Sequence, residues 1–487
     1  MNDGYAWGGG PDLSAWETVM WRTYDDPRTR AHGVFVELLD REPEWDRLVH
    51  AHERGSLEVP RLRERIIEPA VPVGTPAWSP DPGWVVEAHL RRTSLPAPGT
   101  MEQLHTAVAE FAQEPLDCTR APWQALLVAG LEGGRAAYLF KAHHVLGDGV
   151  AIMQLLGLVH SHTPTPSRRQ APTPPRRPSV TAASLAAKRF ASLTMGLPAQ
   201  MARRVPDVTG RVVTDPVAAA KGAVGYLASL RRQMAPPQVP RSPLLAGQGG
   251  LGTVVLTLDV PLAALRAAGK ASGGTINDAY LAGLLGGLRR YHEHFGVVSA
   301  DIPITIPVST RTSADAAGGN QFSAARLVGP MAEADPAQRI RLLRAQVRRA
   351  RNEPAIAWLD TASRVLDRAP AGVLVDLVLD GTSWADAQLS SFPGLAWQAY
   401  VAGAKVTGIY AVGPRPGTAL MSIMLSYEGK ACIGLHLDPD VFTDVELLRT
   451  CLLAGFEEVF ALAGPGAAAA HSGASAGAGS SGPVASS

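Results

Sequence analysis

The sequence predicts an α/β protein of two or three domains, and three observations carry that prediction. The chain has 487 residues, more than one hydrophobic core ordinarily serves. Runs with strand-like alternation interchange with runs of helical spacing along most of it. A Pro-, Thr- and Arg-rich stretch from Ser161 to Pro178 interrupts that order and reads as a linker or exposed loop.

In the first half, Leu13 to Tyr24 predicts a short helix, His32 to Leu39 a strand and Glu44 to Arg54 a helix. Trp84 to Leu90 predicts a second strand. Thr100 to Gln113 is amphipathic, with Leu104, Val108 and Phe111 at helical spacing. The strand Gln124 to Gly130, the turn Glu132-Gly133-Gly134 and a strand ending at His144 form a hairpin signal. Residues 179–241 carry broken helical patterns. Between 167 and 241 thirteen Lys and Arg stand against Asp207 and Asp215 only, +11 formally, with Leu185, Phe190 and Leu193 interleaved. Such a stretch suits an anionic membrane surface; a solvated crossover between two domains is the plainer reading.

The second half opens with a strand, Thr253 to Asp259, and a helix, Leu262 to Ala271. Thr275-Ile276-Asn277-Asp278 starts a helix whose buried face holds Leu281, Leu284, Leu285 and Leu288. Asn277 or Asp278 there could be no more than a cap and a first-turn acid. Asp301 to Ser309 is a buried strand that runs into Thr310-Arg311, with Gly318-Gly319-Asn320 beyond. Helices are expected over Pro336 to Arg351 and Ala355 to Val375. Strands follow over Lys405 to Val412, Ala419 to Tyr427 and Ala431 to Leu437, then a helix over Asp444 to Leu462. The Ala/Gly/Ser-rich end, Gly464 to Ser487, is expected to be disordered.

Composition excludes several classes. A formal charge of +1 argues against a whole-molecule nucleic-acid binder. Cys118, Cys432 and Cys451 have neither metal nor redox spacing and suggest reduced, buried thiols in a cytosolic protein. No apolar run approaches a membrane span, and Met1 to Gly10 is polar and Gly-rich, unlike a secretory leader.

The stretch from Tyr138 to Gly149 carries the chemistry. On a strand, Tyr138, Phe140, Ala142 and His144 share one face and His143 the other, so one imidazole at most can serve a given ligand as a base. Gly147 and Gly149 flank Asp148 and suggest a sharp turn at positive φ, which could bring Asp148 back to the histidines. The bland readings are a pair of core histidines and an Asp that caps the next helix, Val150 to His160. No third metal ligand stands at suitable spacing.

His-His-x-x-x-Asp-Gly after a strand and before a helix resembles the signature of the chloramphenicol-acetyltransferase-like, or condensation-domain, superfamily of acyltransferases. Further segments narrow the likeness to the bacterial wax ester synthase/diacylglycerol acyltransferase family. These are Pro115-Leu116-Asp117 with Arg120 and Trp123, Asn277-Asp278, Pro307-Val308-Ser309 with Arg311 and Gly319-Asn320, and Ser426-Tyr427 with Gly429. Leu389 to Gly394 sits where the family carries Ser-Asn-x-x-Gly-Pro. The departures are Ala121-Pro122-Trp123, Ser391 in place of Asn, Leu395 in place of Pro, and the loop from Ser242 to Gly252.

The likeness covers roughly residues 10 to 463. It implies two chloramphenicol-acetyltransferase-like domains, each a mixed sheet with flanking helices, and an active site at their interface. The domains would be 1–178 and 242–463, joined by a basic crossover at 179–241 and followed by a tail at 464–487. The implied reaction moves a fatty acyl group from acyl-CoA to diacylglycerol or a long-chain alcohol. His144 would be the general base and His143 its support. Asp148 would fix the turn with Gly149, through Arg311 or a similar cation. Asn277, Asp278, Ser309, Ser390 and Gly394 would line the substrate site, with a backbone N–H, Asn277 or Ser309 as oxyanion donor. No cofactor, metal or covalent acyl-enzyme is implied. The basic stretch could also attract the phosphates of coenzyme A. The setting would be cytoplasmic, with membrane or lipid-droplet surfaces as contact sites. A different acceptor, such as a natural-product hydroxyl or an amine, and a non-catalytic lipid-binding role are the alternatives.

Overall fold

The computed structural model describes residues 7–71, 74–165, 177–188, 190–191, 239–246, 250–309, 318–320, 322–353 and 369–464. The first half contains α1 (Ala15–Arg22), β1 (His32–Leu39), α2 (Trp45–Glu58), β2 (Glu64–Ile67), β3 (Ala77–Pro80), β4 (Leu90–Ser94), α3 (Met101–Gln113), β5 (Trp123–Leu131), β6 (Arg135–His143) and α4 (Gly149–Val159). The second contains β7 (Val254–Pro261), α5 (Leu262–Ala271), α6 (Ile276–His294), β8 (Ile302–Ser309), β9 (Phe322–Gly329) and α7 (Pro336–Arg351). It continues through α8 (Ala371–Thr382), β10 (Ala387–Pro393), β11 (Tyr400–Val401), β12 (Ala404–Val412), β13 (Leu420–Tyr427), β14 (Lys430–Leu437) and α9 (Val445–Phe460).

Two six-stranded mixed sheets form, in the orders β11-β12-β1-β6-β5-β4 and β7-β14-β13-β10-β8-β9. Each has its own hydrophobic core. The first sheet is not built from the first half alone. Strand β12 leaves the second half and pairs antiparallel with β1, Val34 opposite Val412 and Phe35 opposite Ala411. The division at 242 therefore understates the exchange, because residues 400–412 complete the first sheet. The crossing strand also touches the second sheet. A Cβ on Gly434 of β14 would stand 2.2 Å from the Ala411 carbonyl oxygen, so only glycine lets the two backbones approach so closely.

Most predicted elements stand within a few residues of their expected limits. The strand expected at Trp84 to Leu90 does not form. Val86–Ala88 is a short 3₁₀ turn, and β4 begins only at Leu90, parallel to β5. Three-residue spacing brings Val86 and His89 into the core together, where His89 stacks on Trp123 with ring centroids 4.6 Å apart. Strands β2, β3, β9, β10 and the short β11 were not foreseen as strands. Of the helix expected over Ala355 to Val375, residues 354–368 lie outside the described residues, and the described helix starts at Ala371. Most of the basic stretch and the C-terminal tail beyond Gly464 also lie outside them.

Candidate active site

Strand β6 carries the signature to its end. Every residue from Ala136 to His143 is buried, and β6 is held between β1 and β5. The strand stops at His143. His144–Leu146 is a 3₁₀ turn, so the two imidazoles diverge because the backbone turns between them, not because they sit on opposite faces of a continuing strand. His143 accepts the Val145 N–H on Nδ1 at 3.0 Å and packs its ring against Tyr24 and Trp21, with centroids 4.6 and 5.5 Å away. Burial first, then the neighbouring His144 and His32, holds its pKa well below the ordinary histidine value. His143 is thus a neutral core residue that shapes the turn.

His144 is only half-buried. Its N–H donates to Ala31 O at 2.7 Å, and its carbonyl accepts from Gly147 N at 3.0 Å and from Asn320 Nδ2 at 2.5 Å. Burial lowers its pKa; Asp148, the Asn320 side chain and the Gly147 backbone act in the opposite sense. The net direction is down, which keeps the ring neutral at physiological pH.

Neither glycine of the turn lies in the left-handed region, contrary to expectation; Gly147 is extended, with φ 163°. Space is what they supply. A Cβ on Gly147 would lie 2.6 Å from the Ala151 Cβ, and one on Gly149 would lie 2.4 Å from Phe392 Cζ. Asp148 is the N-cap of α4, accepting the Ala151 N–H at 2.8 Å on Oδ1. Its own N–H donates to Gly319 O at 3.3 Å, and Gly147 forms a parallel bridge with Gly319. The second half thus docks directly on the histidine turn. Arg311, expected to pair with Asp148, lies outside the described residues.

On the second half, Asn277 stands in the first turn of α6 and its Oδ1 accepts the Ser391 hydroxyl at 2.6 Å. The Ser that replaces the family's Asn therefore touches a residue of the site. Asp278 is turned away to close a capping box with Thr275 and to meet Arg344 Nη1 at 3.4 Å. Ser309 is the exposed last residue of β8, and Ser390 is buried on β10. Gly394 lies where a Cβ would fall 2.3 Å from Ser426 O. Three residues near the signature were given no role in the sequence: Phe392, Asn320 and Glu17. Asn320 stood in the Gly-Gly-Asn stretch. Glu17 showed only as the fourth residue of a Ser-x-x-Glu capping pattern.

The wax ester synthase/diacylglycerol acyltransferase catalytic domain matches residues 13–280, and the C-terminal domain of the same family matches 318–459. The chain belongs to the wax ester synthase/diacylglycerol acyltransferase family. It is 35% identical over 456 residues, 93% of this chain and 92% of the other, to a protein of Mycobacterium tuberculosis H37Rv provisionally named a diacylglycerol O-acyltransferase. Among solved structures it is similar to the wax ester synthase/diacylglycerol acyltransferase of Marinobacter aquaeolei VT8. There the TM-score is 0.61 at 19% identity, covering 93% of this chain and all of that one. It is also similar in fold to the first condensation domain of the CDA synthetase, with a TM-score of 0.56 at 16% identity, covering 94% and 98%. The chain is accordingly an acyltransferase of chloramphenicol-acetyltransferase-like fold.

Its departures from the family pattern have structural counterparts. Trp123 is buried, donates from Nε1 to Leu62 O at 2.9 Å and stacks on His52 and His89. In the altered loop, Ser242 accepts or donates at His292 Nε2 (2.7 Å), gives its N–H to Asp386 Oδ2, and Leu245 is fully buried. Among the described residues no group of His, Cys, Asp and Glu could hold a metal ion, and no helix is long and apolar enough to cross a membrane. The three cysteines are free; Cys432 and Cys451 are buried and Cys118 half-buried.

Proposed function

We propose that this acyltransferase moves a fatty acyl group from acyl-CoA to the hydroxyl of diacylglycerol or a long-chain alcohol, with His144 as general base. One observation carries the reading: His144 is half-buried, its imidazole is biased to the neutral form, and its backbone carbonyl is held by Asn320 from the other half of the chain. A hydroxyl is a poor nucleophile until a base takes its proton. His144 withdraws that proton as the oxygen attacks the thioester carbonyl. The tetrahedral intermediate then collapses, the acyl–oxygen bond remains, and the proton passes to the leaving coenzyme A thiolate. Asn277 suits the oxyanion, because Ser391 occupies its oxygen and thereby leaves its amide N–H groups available as donors. Asp148 acts through the backbone as the cap of α4. Acyl-CoA is a co-substrate, and the reaction calls on no cofactor. The basic stretch at 167–241 supports approach to anionic membrane or lipid-droplet surfaces.

The test is coenzyme A release from palmitoyl-CoA, with hexadecanol and with a diacylglycerol as acceptors. His144→Ala is expected to lose about 10²–10⁴ in rate with either acceptor while keeping its circular dichroism. Wild-type turnover in that variant would refute the base assignment.

A further inference from the structure

The first described residues of the chain form a strap that no step of the reaction above uses. Trp7 is buried in the core of the first half, and the backbone then turns through Gly8 and Gly9 at φ 88° and 67°. These left-handed residues bring three successive carbonyls, of Gly8, Gly9 and Gly10, to a single point. Arg61 fills it. Its Nη2 donates to Gly8 O at 2.9 Å, to Gly9 O at 3.2 Å and to Gly10 O, while Nη1 donates to Glu64 Oε2 at 2.7 Å. The residue is 1% exposed and its guanidinium lies over the Trp78 ring. A guanidinium suits this place, because its fork spreads several donors in one rigid plane and keeps its charge. Beyond Gly10 the strap is paired with β3, Trp78 N donating to Pro11 O at 2.8 Å.

The strap in turn meets the second half. A Cβ on Gly318 would stand 2.5 Å from Gly8 N and 3.2 Å from Trp7 Cδ2, so the two backbones touch. On its other side the Gly318 N–H donates to Gln154 Oε1 of α4 at 3.4 Å. The next two residues reach the signature turn. Gly319 O accepts the Asp148 N–H at 3.3 Å, and Asn320 Nδ2 donates to His144 O. A continuous run of contacts thus leads from Arg61 through the strap and Gly318 to the backbone of residues 144–148.

We infer that Arg61 is a positioning residue for acyl transfer: it clamps the strap at residues 8–10, and the strap backs residues 318–320 of the second half against the turn that carries His144. Without the clamp the strap loses its anchor, and residues 318–320 are free to recede from the turn. A misplacement of about 1 Å, caused far from the chemistry, is enough to slow a reaction. The inference rests on the acyl-transfer reading of this site, but the seating of the turn can be read without turnover.

Hydrogen exchange of the full-length protein, followed by mass spectrometry, compares the turn at residues 144–149 with strand β6. Arg61→Lys keeps the charge beside Glu64 but loses the fork. In that variant exchange in the turn is expected to quicken about tenfold while β6 stays protected. With palmitoyl-CoA and hexadecanol, kcat should fall about tenfold or more and KM for palmitoyl-CoA stay nearly constant. Two glycine variants form a matched pair that leaves Arg61 in place. A Cβ on Gly8 would lie 2.8 Å from Arg61 Cγ, whereas one on Gly9, also at positive φ, meets nothing within 4 Å. Gly8→Ala should therefore behave like Arg61→Lys, and Gly9→Ala like wild type. Wild-type exchange in the turn of Arg61→Lys overturns the inference. So does equal loosening of the turn and β6, the mark of a general loss of stability, and so does a Gly9→Ala variant that matches Gly8→Ala. Should Arg61→Lys fail to fold, the glycine pair decides alone. If His144→Ala proves active, or the wild type releases no coenzyme A, the functional reading fails by itself, and exchange still decides whether Arg61 seats the turn.

Discussion

A histidine works as a base only while it is neutral. Burial biases His144 that way, and the partners that favour its charged form, Asp148 and Asn320, do not reverse the direction. The acid limb of kcat/KM is therefore expected below pH 6.5, the ordinary histidine value. The rate is full above that limb and is lost as pH falls through it. A pH–rate series with palmitoyl-CoA locates the midpoint, and one above 6.5 would contradict the assignment. Ser391 is the second residue with a measurable role. Its hydroxyl orients Asn277, so Ser391→Ala should lower kcat by about tenfold, less than the 10²–10³ that removing an oxyanion donor outright costs. Steady-state kinetics of Ser391→Ala beside Asn277→Ala decide this; equal rates for Ser391→Ala and wild type would free Asn277 of that dependence.

Helix α4 is anchored at both ends, and this makes it the element on which the site depends. Asp148 caps its first turn, and at its C-terminus His160 Nε2 meets Glu37 Oε2 of β1 at 2.7 Å in a fully enclosed pair. Between them Gly149 lies under the ring of Phe392, which belongs to β10 of the other sheet. Gly149→Ala should force that ring aside and destabilise the protein by about 1–3 kcal/mol, the usual cost of overpacking. Urea denaturation measures it, and Gly149→Ala with Phe392→Leu should recover part of the loss. No recovery would mean that the strain resides in the turn itself. Elements whose period matched their burial were legible, as α6 with its leucines shows. Strand β10 was not, because Leu389-Ser390-Ser391-Phe392 reads as a loop motif, and its strand character comes from β13, which pairs along its whole length, while β8 joins it only at Ala387 and Gln388.

At the scale of the molecule the halves are interlocked. β12 completes the first sheet, Tyr410 of that strand donates to Asp259 Oδ1 at 2.8 Å, and His105 of α3 meets Thr257 of β7 at 2.9 Å. Burial is the main cause that holds His52, His105 and His436 down to about 4 and His32 down to about 3. The unfolded chain takes up these protons near pH 6.5. Their contribution to stability is thus whole above pH 6.5 and is lost as pH falls towards 4. The urea midpoint should drop between pH 7 and pH 5, and a constant midpoint over that interval would show that the rings charge within the fold.

By itself the sequence determined the family, the order of most elements and the segment that carries the chemistry, because these depend on local period and on a short motif with its turn. It also brought forward Asn277 and the Gly-Gly-Asn stretch, though without their partners. Tertiary structure decided the rest: that His144 leaves the strand while His143 stays in the core, that Gly149 makes room for Phe392, that Ser391 reaches Asn277, and that Glu17 and Asn320 meet at the His144 turn. Each is a contact between segments far apart in the chain, and no local pattern encodes which distant side chain will fill a given space.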